Sequence, residues 1–336
     1  MNEVRWGVLG NATIARKCVI PAIAASKNGR VKALATRRPE EASREVIQNS
    51  IENLYGDYEQ VITDSGVDAV YIPLPNHLHL PWTIQALNAG KHVLCEKPLA
   101  CNAGEAMEMA AASRKSKRLL MEAQMYRFHP RSIKIRDMVN EGNIGIPKLV
   151  RTAFCFAMTA DLLEQGGNYR LDEGHGGGVL LDVGCYGTSV ARWLLNEEPV
   201  SVHGQAIFHD KHSVDIHMLG SLRFASGALA SIEASFCSGL QQTYTIIGSD
   251  GVLELPHDAF IPWHKDALFT WRRRDEETGE TFTIPGADEY RLMVEHFNQA
   301  ILTGIPLEIP LEDSIANMTV LDALARAIRS ERCVYL

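Results

Sequence analysis

The sequence predicts an α/β protein of two domains: an N-terminal Rossmann-type, doubly wound parallel sheet, and a C-terminal α+β domain with a large, mostly antiparallel open sheet. Three observations predict this fold. The chain has 336 residues, more than one hydrophobic core usually organises. Residues 1–125 alternate strand and helix patterns, which is typical of a parallel sheet covered on both faces. After Pro130, successive strand patterns with short turns indicate antiparallel pairing.

The predicted strands of the first domain are short and rich in Val, Ile and Leu, as strands buried on both faces should be. We place them at residues 5–9, 31–36, 69–73, 92–96 and 119–123. Helical patterns lie between them at residues 14–26, 39–49, 82–89 and 102–115. Glycines such as Gly90 punctuate the helix ends.

The second domain, residues 126–336, mixes a few helices with many strands. Helices are predicted at residues 132–141, 182–195, 289–302 and 311–330. Strands are predicted at residues 148–156, 200–208, 216–224, 228–235, 243–247 and 281–284. The basic run at 272–274 is followed at once by three acidic residues, and we interpret it as a solvated turn rather than a binding patch.

Composition and charge exclude several classes of function. A net charge of −8 does not suit a chain that neutralises nucleic-acid phosphates or anionic lipid. No apolar run reaches the roughly 18 residues of a membrane span, and no secretion signal is recognisable. The seven Cys are odd in number and contain no CxxC pair, as expected of free thiols in a reducing compartment. We therefore expect a cytoplasmic protein without a metal site, and with neither a nucleic-acid nor a membrane partner.

The first motif is the small-residue turn that follows the first strand. A dinucleotide pyrophosphate needs a tight turn, close approach of the backbone and a helix N-terminus. Gly10 is placed to make the turn, and Ala12 and Ala15 occupy the next two glycine positions of a GxGxxG pattern. The pattern is degenerate, and a turn of this kind also occurs in α/β proteins that bind no nucleotide. Its place between a strand and a helix favours a cofactor site formed by Gly10, Asn11, Ala12, Thr13 and Ile14.

The end of the second strand indicates which nucleotide would bind. An acid at this position typically holds the ribose 2′-hydroxyl of NAD, whereas Arg accommodates the 2′-phosphate of NADP. Here Thr36 is followed by Arg37 and Arg38, whose planar guanidinium groups suit phosphate. The alternative is an ordinary solvated loop. Given a dinucleotide site, we expect NADP(H) to be preferred, with NAD(H) possible.

Two further motifs carry groups suited to proton transfer. Glu96, Lys97 and Pro98 end a predicted parallel strand, where ligands bind in such sheets, although a Lys there can also be a plain surface residue. Asp182 and Tyr186 follow three glycines at 176–178 and lie one helical turn apart. A carboxylate and a phenol so spaced suit work on a substrate hydroxyl; the more frequent alternative is an Asp N-cap beside a half-buried Tyr.

Together these motifs resemble the glucose-fructose oxidoreductase / inositol dehydrogenase / rhizopine-catabolism (Gfo/Idh/MocA) family. Four segments carry the resemblance, in the family's order and over essentially the whole chain: 6–15, 73–79, 90–98 and 176–186. The segment at 125–130 and Tyr186 resemble the branch that contains glucose-fructose oxidoreductase and dihydrodiol dehydrogenase. The sequence departs from the family at Asn11 and Ala12 of the turn.

The resemblance implies specific roles for the motif residues. Lys97 matches the catalytic lysine, Tyr186 the proton donor or acceptor, and Asp182 the acidic position of the same helix. The cofactor site would include the turn, the end of the second strand and two further segments; beyond the turn its residues are Thr36, Arg37, Arg38, Pro73, Leu74, Asn76, His79, Glu96 and Lys97. Substrates would be sugars, sugar derivatives or vicinal diols, bound in part by the loop at 158–170.

The resemblance also implies self-association and leaves two other functions open. Family members commonly pair through the open face of the second sheet, so we expect a homodimer or a larger homo-oligomer. One alternative function is an enzyme that retains NAD and oxidises a sugar only transiently, as glycosidase-like relatives do. The other is a non-catalytic redox sensor, against which the joint presence of Lys97 and Tyr186 argues.

Overall fold

The computed structural model describes residues 2–42, 48–165 and 167–336 and divides the chain into two compact units. The first unit comprises Met1–Phe128 and Asp288–Ile315, and the second comprises His129–Ala287 and Ala316–Leu336. The sequence analysis drew a single boundary after residue 125, whereas the chain returns to the first unit at Asp288. Each unit contains one sheet.

The described residues form strands and helices in the order that the sequence patterns suggest. The strands are β1 (Val4–Leu9), β2 (Gly29–Ala35), β3 (Asn53–Tyr55), β4 (Ala69–Ile72), β5 (His92–Cys95), β6 (Leu120–Glu122), β7 (Pro147–Ala157), β8 (Pro199–Phe208), β9 (Asp215–Phe224), β10 (Leu229–Ser235), β11 (Cys237–Gly248), β12 (Gly251–Leu255), β13 (Ala267–Arg273), β14 (Glu280–Ile284) and β15 (Val334–Tyr335). The helices are α1 (Ile20–Ala25), α2 (Tyr58–Thr63), α3 (His79–Asn88), α4 (Ala103–Ser116), α5 (Pro130–Asn140), α6 (Ala160–Gln165), α7 (Cys185–Leu195), α8 (Glu289–Thr303) and α9 (Leu311–Ser330).

The sheet of the first unit is parallel and has the strand order β3-β2-β1-β4-β5-β6. This is the order of the doubly wound dinucleotide-binding fold, in which the chain reverses direction across the sheet between β1 and β4. The predicted parallel sheet is therefore confirmed. The sequence analysis missed β3, which has only three residues and takes its strand conformation from pairing with β2.

The core of the first unit forms around β1. Trp6 is fully buried, its indole N–H donates to Asn298 Oδ1 at 2.9 Å, and its ring lies 5.6 Å from Phe297. On Gly7, an added Cβ would lie 2.3 Å from Val61 Cγ1. Helices α8 and α2 therefore pack tightly against the middle of the central strand.

The helix predicted at 14–26 is present as one helical run at 13–25, but its middle is a π-helical turn, Ala15–Val19. Ile20 N–H donates to Ala15 O, five residues back. Pro21 follows at once and has no N–H to continue the regular ladder, which accounts for the widened turn before it. Of the helix predicted at 39–49, residues 43–47 lie outside the described residues, and Pro39–Ala42 form a 3₁₀ turn.

The sheet of the second unit has nine strands in the order β14-β13-β12-β11-β7-β10-β9-β8-β15. Its pairs are antiparallel except for β7 and β10, which run parallel in the centre. The predicted mostly antiparallel sheet is therefore confirmed. The helix α7 covers one face closely, because a Cβ on Gly187 would lie 2.4 Å from Thr152 Oγ1 of β7.

One sequence interpretation in this sheet is wrong. Arg272 and Arg273 are not a turn but the end of β13, where they pair with Val252 and Gly251 of β12. The solvated turn begins only after them, at Arg274. The strands β12 (GVLEL) and β13 (ALFTWRR) were also missed, although Val, Phe, Thr and Trp favour strands.

The structure adds two further observations on the described residues. No helix in the described ranges is both long and apolar enough to cross a membrane. The seven cysteines are free; four are buried, namely Cys18, Cys95, Cys155 and Cys185.

Candidate functional site

The turn after β1 carries its backbone against the end of β2. Gly10 has φ +107°, a conformation that other residues rarely adopt, and its N–H donates to Ala35 O at 2.8 Å. A Cβ built on Gly10 would lie 3.0 Å from Leu74 Cδ2. The backbone conformation therefore favours glycine at this position, as the sequence predicted, and the Leu74 side chain packs close to it.

The residues after Gly10 lead into the first helical run. Ala12 and Ile14 are half-buried and Thr13 is exposed. Asn11 Oδ1 is buried and has no hydrogen-bond partner among the residues that the structure describes. A buried oxygen of this kind is costly unless something donates to it, so the turn fits a ligand that carries a hydrogen-bond donor.

The end of β2 lies close to the turn, and Tyr58, which the sequence analysis did not single out, lies beside both. Thr36 is buried and its hydroxyl accepts from Arg38 N–H at 3.2 Å, while the side chains of Arg37 and Arg38 reach the surface. Burial raises the pKa of Tyr58, although a hydrogen bond and the positive charge of Arg37 oppose that shift. The Tyr58 hydroxyl lies 3.6 Å from a Cβ built on Gly10. Tyr58 therefore lies at the turn, within electrostatic reach of Arg37.

His79 is placed differently from a residue that contacts a cofactor. It is fully buried, and its two ring nitrogens lie 2.8 Å from Leu74 O and 3.0 Å from Pro98 O. Burial lowers the pKa of His79 to about 4, against the effect of the backbone carbonyls. A neutral imidazole donates from one ring nitrogen only, so His79 makes a hydrogen bond to one of these carbonyls and a close contact with the other. His79 thereby joins the 73–76 loop, whose Pro73, Leu74 and Asn76 are buried, to the turn that carries Lys97.

Lys97 lies in a turn that is held on both sides. Before it, Glu96 accepts a hydrogen bond of 2.6 Å from the hydroxyl of the fully buried Tyr71. After it, Leu99 N–H donates to Glu122 Oε1 at 3.0 Å. Burial raises the pKa of both Tyr71 and Glu122. The backbone around Lys97 is thus fixed from the core, while the Lys97 side chain is half-buried.

The second unit brings Asp182 and Tyr186 together with Arg170. Asp182 lies inside a π-helical turn, Leu180–Gly184, in a helical run that begins at residue 179, so it is not the N-cap. Its carboxylate accepts from Arg170 Nε at 2.8 Å. Burial by itself lowers the pKa of Arg170. The negative charge of Asp182 acts in the opposite direction, Tyr169 and Tyr186 add to that effect, and the pKa of Arg170 lies above its ordinary value. The three side chains therefore form one electrostatic cluster.

The glycines that precede Asp182 approach the protein's own backbone. Gly177 N–H donates to Asp172 O and Gly178 N–H donates to Arg170 O, both at 2.8 Å. A Cβ on Gly177 would lie 2.6 Å from Arg170 O, which no side chain can accommodate. The glycine run therefore lets the chain reverse tightly enough to place Arg170 against Asp182.

Tyr186 is held by aromatic neighbours. Its ring lies 5.2 Å from Phe154 of β7 and 5.3 Å from Phe260, and these two rings stack 5.3 Å apart. Tyr186 is buried at 3% exposure. The ring position is thus set by packing that does not depend on the hydroxyl.

The structure separates the sequence-predicted residues into two groups. The first unit brings together the 10–14 turn, Arg37, the 73–76 loop and the Glu96–Pro98 turn, while Asp182 and Tyr186 lie in the second unit. The sequence analysis did not single out two residues that contact these groups: Tyr58, beside the 10–14 turn, and Arg170, paired with Asp182. No local signal marks Tyr58; Arg170 lay only at the edge of the loop expected to contact substrate.

Comparison with protein families gives two matches that together cover most of the chain. Residues 4–124 match the model of an oxidoreductase family with an NAD-binding Rossmann fold. Residues 132–254 match the model of the GFO/IDH/MocA C-terminal domain.

Individual relatives are similar over nearly their full length. The chain is 35% identical over 331 residues to a D-xylose 1-dehydrogenase (NADP(+)) from Haloferax volcanii, covering 98% of this chain and 99% of the relative. It is 28% identical to a trans-1,2-dihydrobenzene-1,2-diol dehydrogenase from Xenopus tropicalis, covering 90% of both. A 3-ketoreductase from Actinomadura kijaniata, solved in complex with NADP and TDP-benzene, superposes with a TM-score of 0.88 at 31% identity, covering 97% of this chain and 98% of the other.

Proposed function

The chain belongs to the Gfo/Idh/MocA oxidoreductase family, and from that premise we propose that it transfers a hydride between NADP(H) and a secondary alcohol or ketone carbon. The protein is an NAD(P)-dependent oxidoreductase. We assign nucleotide binding to residues 1–125, and substrate binding with self-association to residues 126–336. The substrate is a sugar, a sugar derivative or a vicinal diol, a class supported by relatives named for D-xylose and for a dihydrobenzene diol.

The first unit fits such a cofactor by the chemistry of its residues. The positive φ of Gly10 turns the chain from β1 toward the first helical run, and the orphaned oxygen of Asn11 can accept from the cofactor. The turn 10–14 and the 73–76 loop would hold the pyrophosphate and the nicotinamide half, with Glu96 and Lys97 beside them. His79 would act indirectly, by fixing the loop and the Lys97 turn to each other. When bound, the nicotinamide supplies or accepts the hydride.

The observation that carries the preference for NADP(H) is the end of β2. Two exposed guanidinium groups, Arg37 and Arg38, follow Thr36, and no acid stands there to hold a ribose 2′-hydroxyl. Tyr58 lies at the turn and is near enough to Arg37 for the positive charge of Arg37 to lower its pKa, which supports a position of Arg37 near the bound nucleotide.

Replacing Arg37 and Arg38 together by Ala should therefore weaken NADPH binding selectively. A charge-assisted hydrogen bond contributes about 1.5–3 kcal/mol, so we expect a roughly ten- to hundredfold rise in Kd for NADPH. The Kd for NADH should change little. Fluorescence titration of both nucleotides measures this, with Arg114→Ala, an exposed arginine of α4, as the control. An equal loss for NADH and NADPH would contradict the assignment.

The catalytic roles follow from the chemistry of the side chains. Tyr186 gives a proton to, or takes one from, the substrate oxygen, and Lys97 holds that oxygen and stabilises the developing alkoxide. Asp182 is the acidic partner of Tyr186 and lies within the same helical run. A panel of sugars and diols, followed by NADPH absorbance and by deuterium transfer from C4-labelled NADPH to product, tests the proposal. Turnover of a sugar without net transfer of label would favour the enzyme that retains its nucleotide.

The open face of the second sheet supports a homodimer as the smallest assembly. Large apolar side chains stand exposed on it, including Ile207 (62%) and Leu219 (52%) on neighbouring strands. Leu229 (49%) on the next strand lies on the same face, so exposed apolar side chains recur on three neighbouring strands, between polar residues such as Gln205 and Glu233. A face of this mixed character supports contact with a second copy of the chain.

We expect light scattering at micromolar concentration to give at least twice the mass of one chain. Leu219→Glu should shift the protein toward the monomer, because it places a charge in the centre of this face. Met107→Glu, at an equally exposed apolar position on α4, should leave the mass unchanged. A wild-type protein that is monomeric under these conditions would rule out the dimer.

The cysteines support a reducing compartment. All seven are free, and burial raises the pKa of Cys18 to about 11 and that of Cys95 well above its ordinary value, so these buried thiols are unreactive. We propose the cytoplasm as the location of the protein.

A further inference from the structure

We propose that Arg170 is a positioning residue of the reaction: it keeps the Asp182 carboxylate paired and places a fixed positive charge near the Tyr186 phenol. The inference rests on the proposed function in one respect, that Tyr186 is the proton donor or acceptor. Arg170 itself lies in the loop before the glycine run, twelve residues from Asp182.

The ion pair is well defined and partly withdrawn from water. Arg170 Nε donates to Asp182 Oδ2 at 2.8 Å, with the Asp182 side chain 7% exposed and that of Arg170 33% exposed. The Arg170 guanidinium also lies 4.8 Å over the ring of Tyr169. Without Arg170, a nearly buried carboxylate would remain one turn from Tyr186 with its main countercharge removed, and like charges disfavour ionisation of a neighbour.

The backbone is built to hold Arg170 in this place. Its N–H donates to Asn168 Oδ1 at 3.1 Å, and its carbonyl accepts from Gly178 at 2.8 Å. Gly177 makes the close approach possible, because any side chain there would collide with the Arg170 carbonyl. The arrangement thus uses two of the three glycines to fix an arginine rather than to approach a ligand.

The other groups that the second unit presents around the phenol differ from Arg170 in charge or in pairing. The rings in contact with Tyr186, Phe154 and Phe260, are uncharged. Titratable groups on the surrounding elements include Tyr169 of the loop, Cys185 of α7, Asp215 of β9, which accepts from Leu180 N–H, and Tyr244 of β11 beside Phe260, and these are neutral or acidic at neutral pH. The arginine of α7, Arg192, is paired with Glu198. Lys97, which we assign to the substrate oxygen, belongs to the first unit and is unchanged in the variants below.

Alcohol oxidation requires Tyr186 to accept a proton, so its rate should rise with pH as the phenol ionises. In Arg170→Met, the unbalanced charge of Asp182 disfavours the phenolate, so the midpoint of this rise should move upward by about one pH unit or more. Activity at neutral pH should fall about tenfold or more with it. The double variant Arg170→Met with Asp182→Asn should bring the midpoint back toward the wild-type value, because it removes the unbalanced charge. Arg170→Lys keeps the positive charge, so its midpoint should lie between that of the wild type and that of Arg170→Met.

The pH–rate profile of kcat for alcohol oxidation, measured on the full chain with saturating NADP, tests this inference. An unchanged midpoint in Arg170→Met, or a double variant whose midpoint stays at that of Arg170→Met, would overturn it. If Arg170→Met does not fold, Arg170→Gln decides, because it also removes the positive charge, and an unshifted midpoint in that variant likewise overturns the inference. Failure of the proposed function is distinct, because it would appear in the wild type as absence of hydride transfer.

Discussion

Replacing Tyr186 by Phe should reduce kcat by roughly 10²–10⁴-fold, the usual contribution of general acid–base catalysis, while NADPH affinity and folding change little. The ring remains and keeps its contacts with Phe154 and Phe260, which do not involve the hydroxyl. Only the proton-transferring group is lost. The pH–rate profile for alcohol oxidation should also lose its basic-side ionisation.

Steady-state kinetics, NADPH titration and thermal unfolding of the Phe variant measure these effects. Tyr244→Phe is the matched control, because it removes a buried phenol from the same aromatic neighbourhood without touching the proposed chemistry. Near wild-type turnover by the Tyr186 variant would make Tyr186 a packing residue. The proton would then have to come through Lys97, Asp182 or a histidine such as His175.

Replacing Lys97 by Ala should reduce kcat by roughly 10²–10³-fold, comparable to the loss of one donor from an oxyanion-stabilising site. Unlike the Tyr186 change, it should also weaken NADPH binding, because Lys97 is assigned to both substrate and cofactor. Folding should persist, since Tyr71, Glu122 and His79 hold the turn through Glu96 and the backbone and not through the Lys97 side chain.

The Lys97 variant is compared with Lys115→Ala, which removes an exposed lysine from α4. Single-turnover hydride transfer separates a loss in chemistry from a loss in binding. A Lys97→Ala protein that keeps its kcat while KM for substrate rises would assign Lys97 to binding alone, and would contradict its role in stabilising the alkoxide.

Much of the fold was predictable because its signals are local. The strands β1, β2, β4, β5 and β6 are short apolar runs between helical patterns, as burial on both faces of a parallel sheet requires. The change to successive strands after Pro130 likewise predicted the second sheet. The strand β3 has only three residues and is a strand only through its pairing with β2. The strands β12 (GVLEL) and β13 (ALFTWRR) did carry a signal, since Val, Phe, Thr and Trp favour strands, and the sequence analysis overlooked it.

The sequence by itself indicated the residues to which we assign the chemistry. These residues lie in short motifs: Gly10, Arg37, Lys97, Asp182 and Tyr186. Such motifs can be recognised in the sequence because the backbone geometry that they need is set by residues close together in the chain. Only the tertiary structure decided what those residues touch. It placed His79 between two carbonyls of the core rather than at the surface of the cofactor site.

The tertiary structure also paired Asp182 with Arg170, whereas the sequence allowed Asp182 to be the N-cap of its helix. The physical reason is that a hydrogen bond or an ion pair depends on distances of about 3 Å. Such distances between separate segments are set by chain reversals and packing, here by the reversal at Gly177 that carries Arg170 back to Asp182.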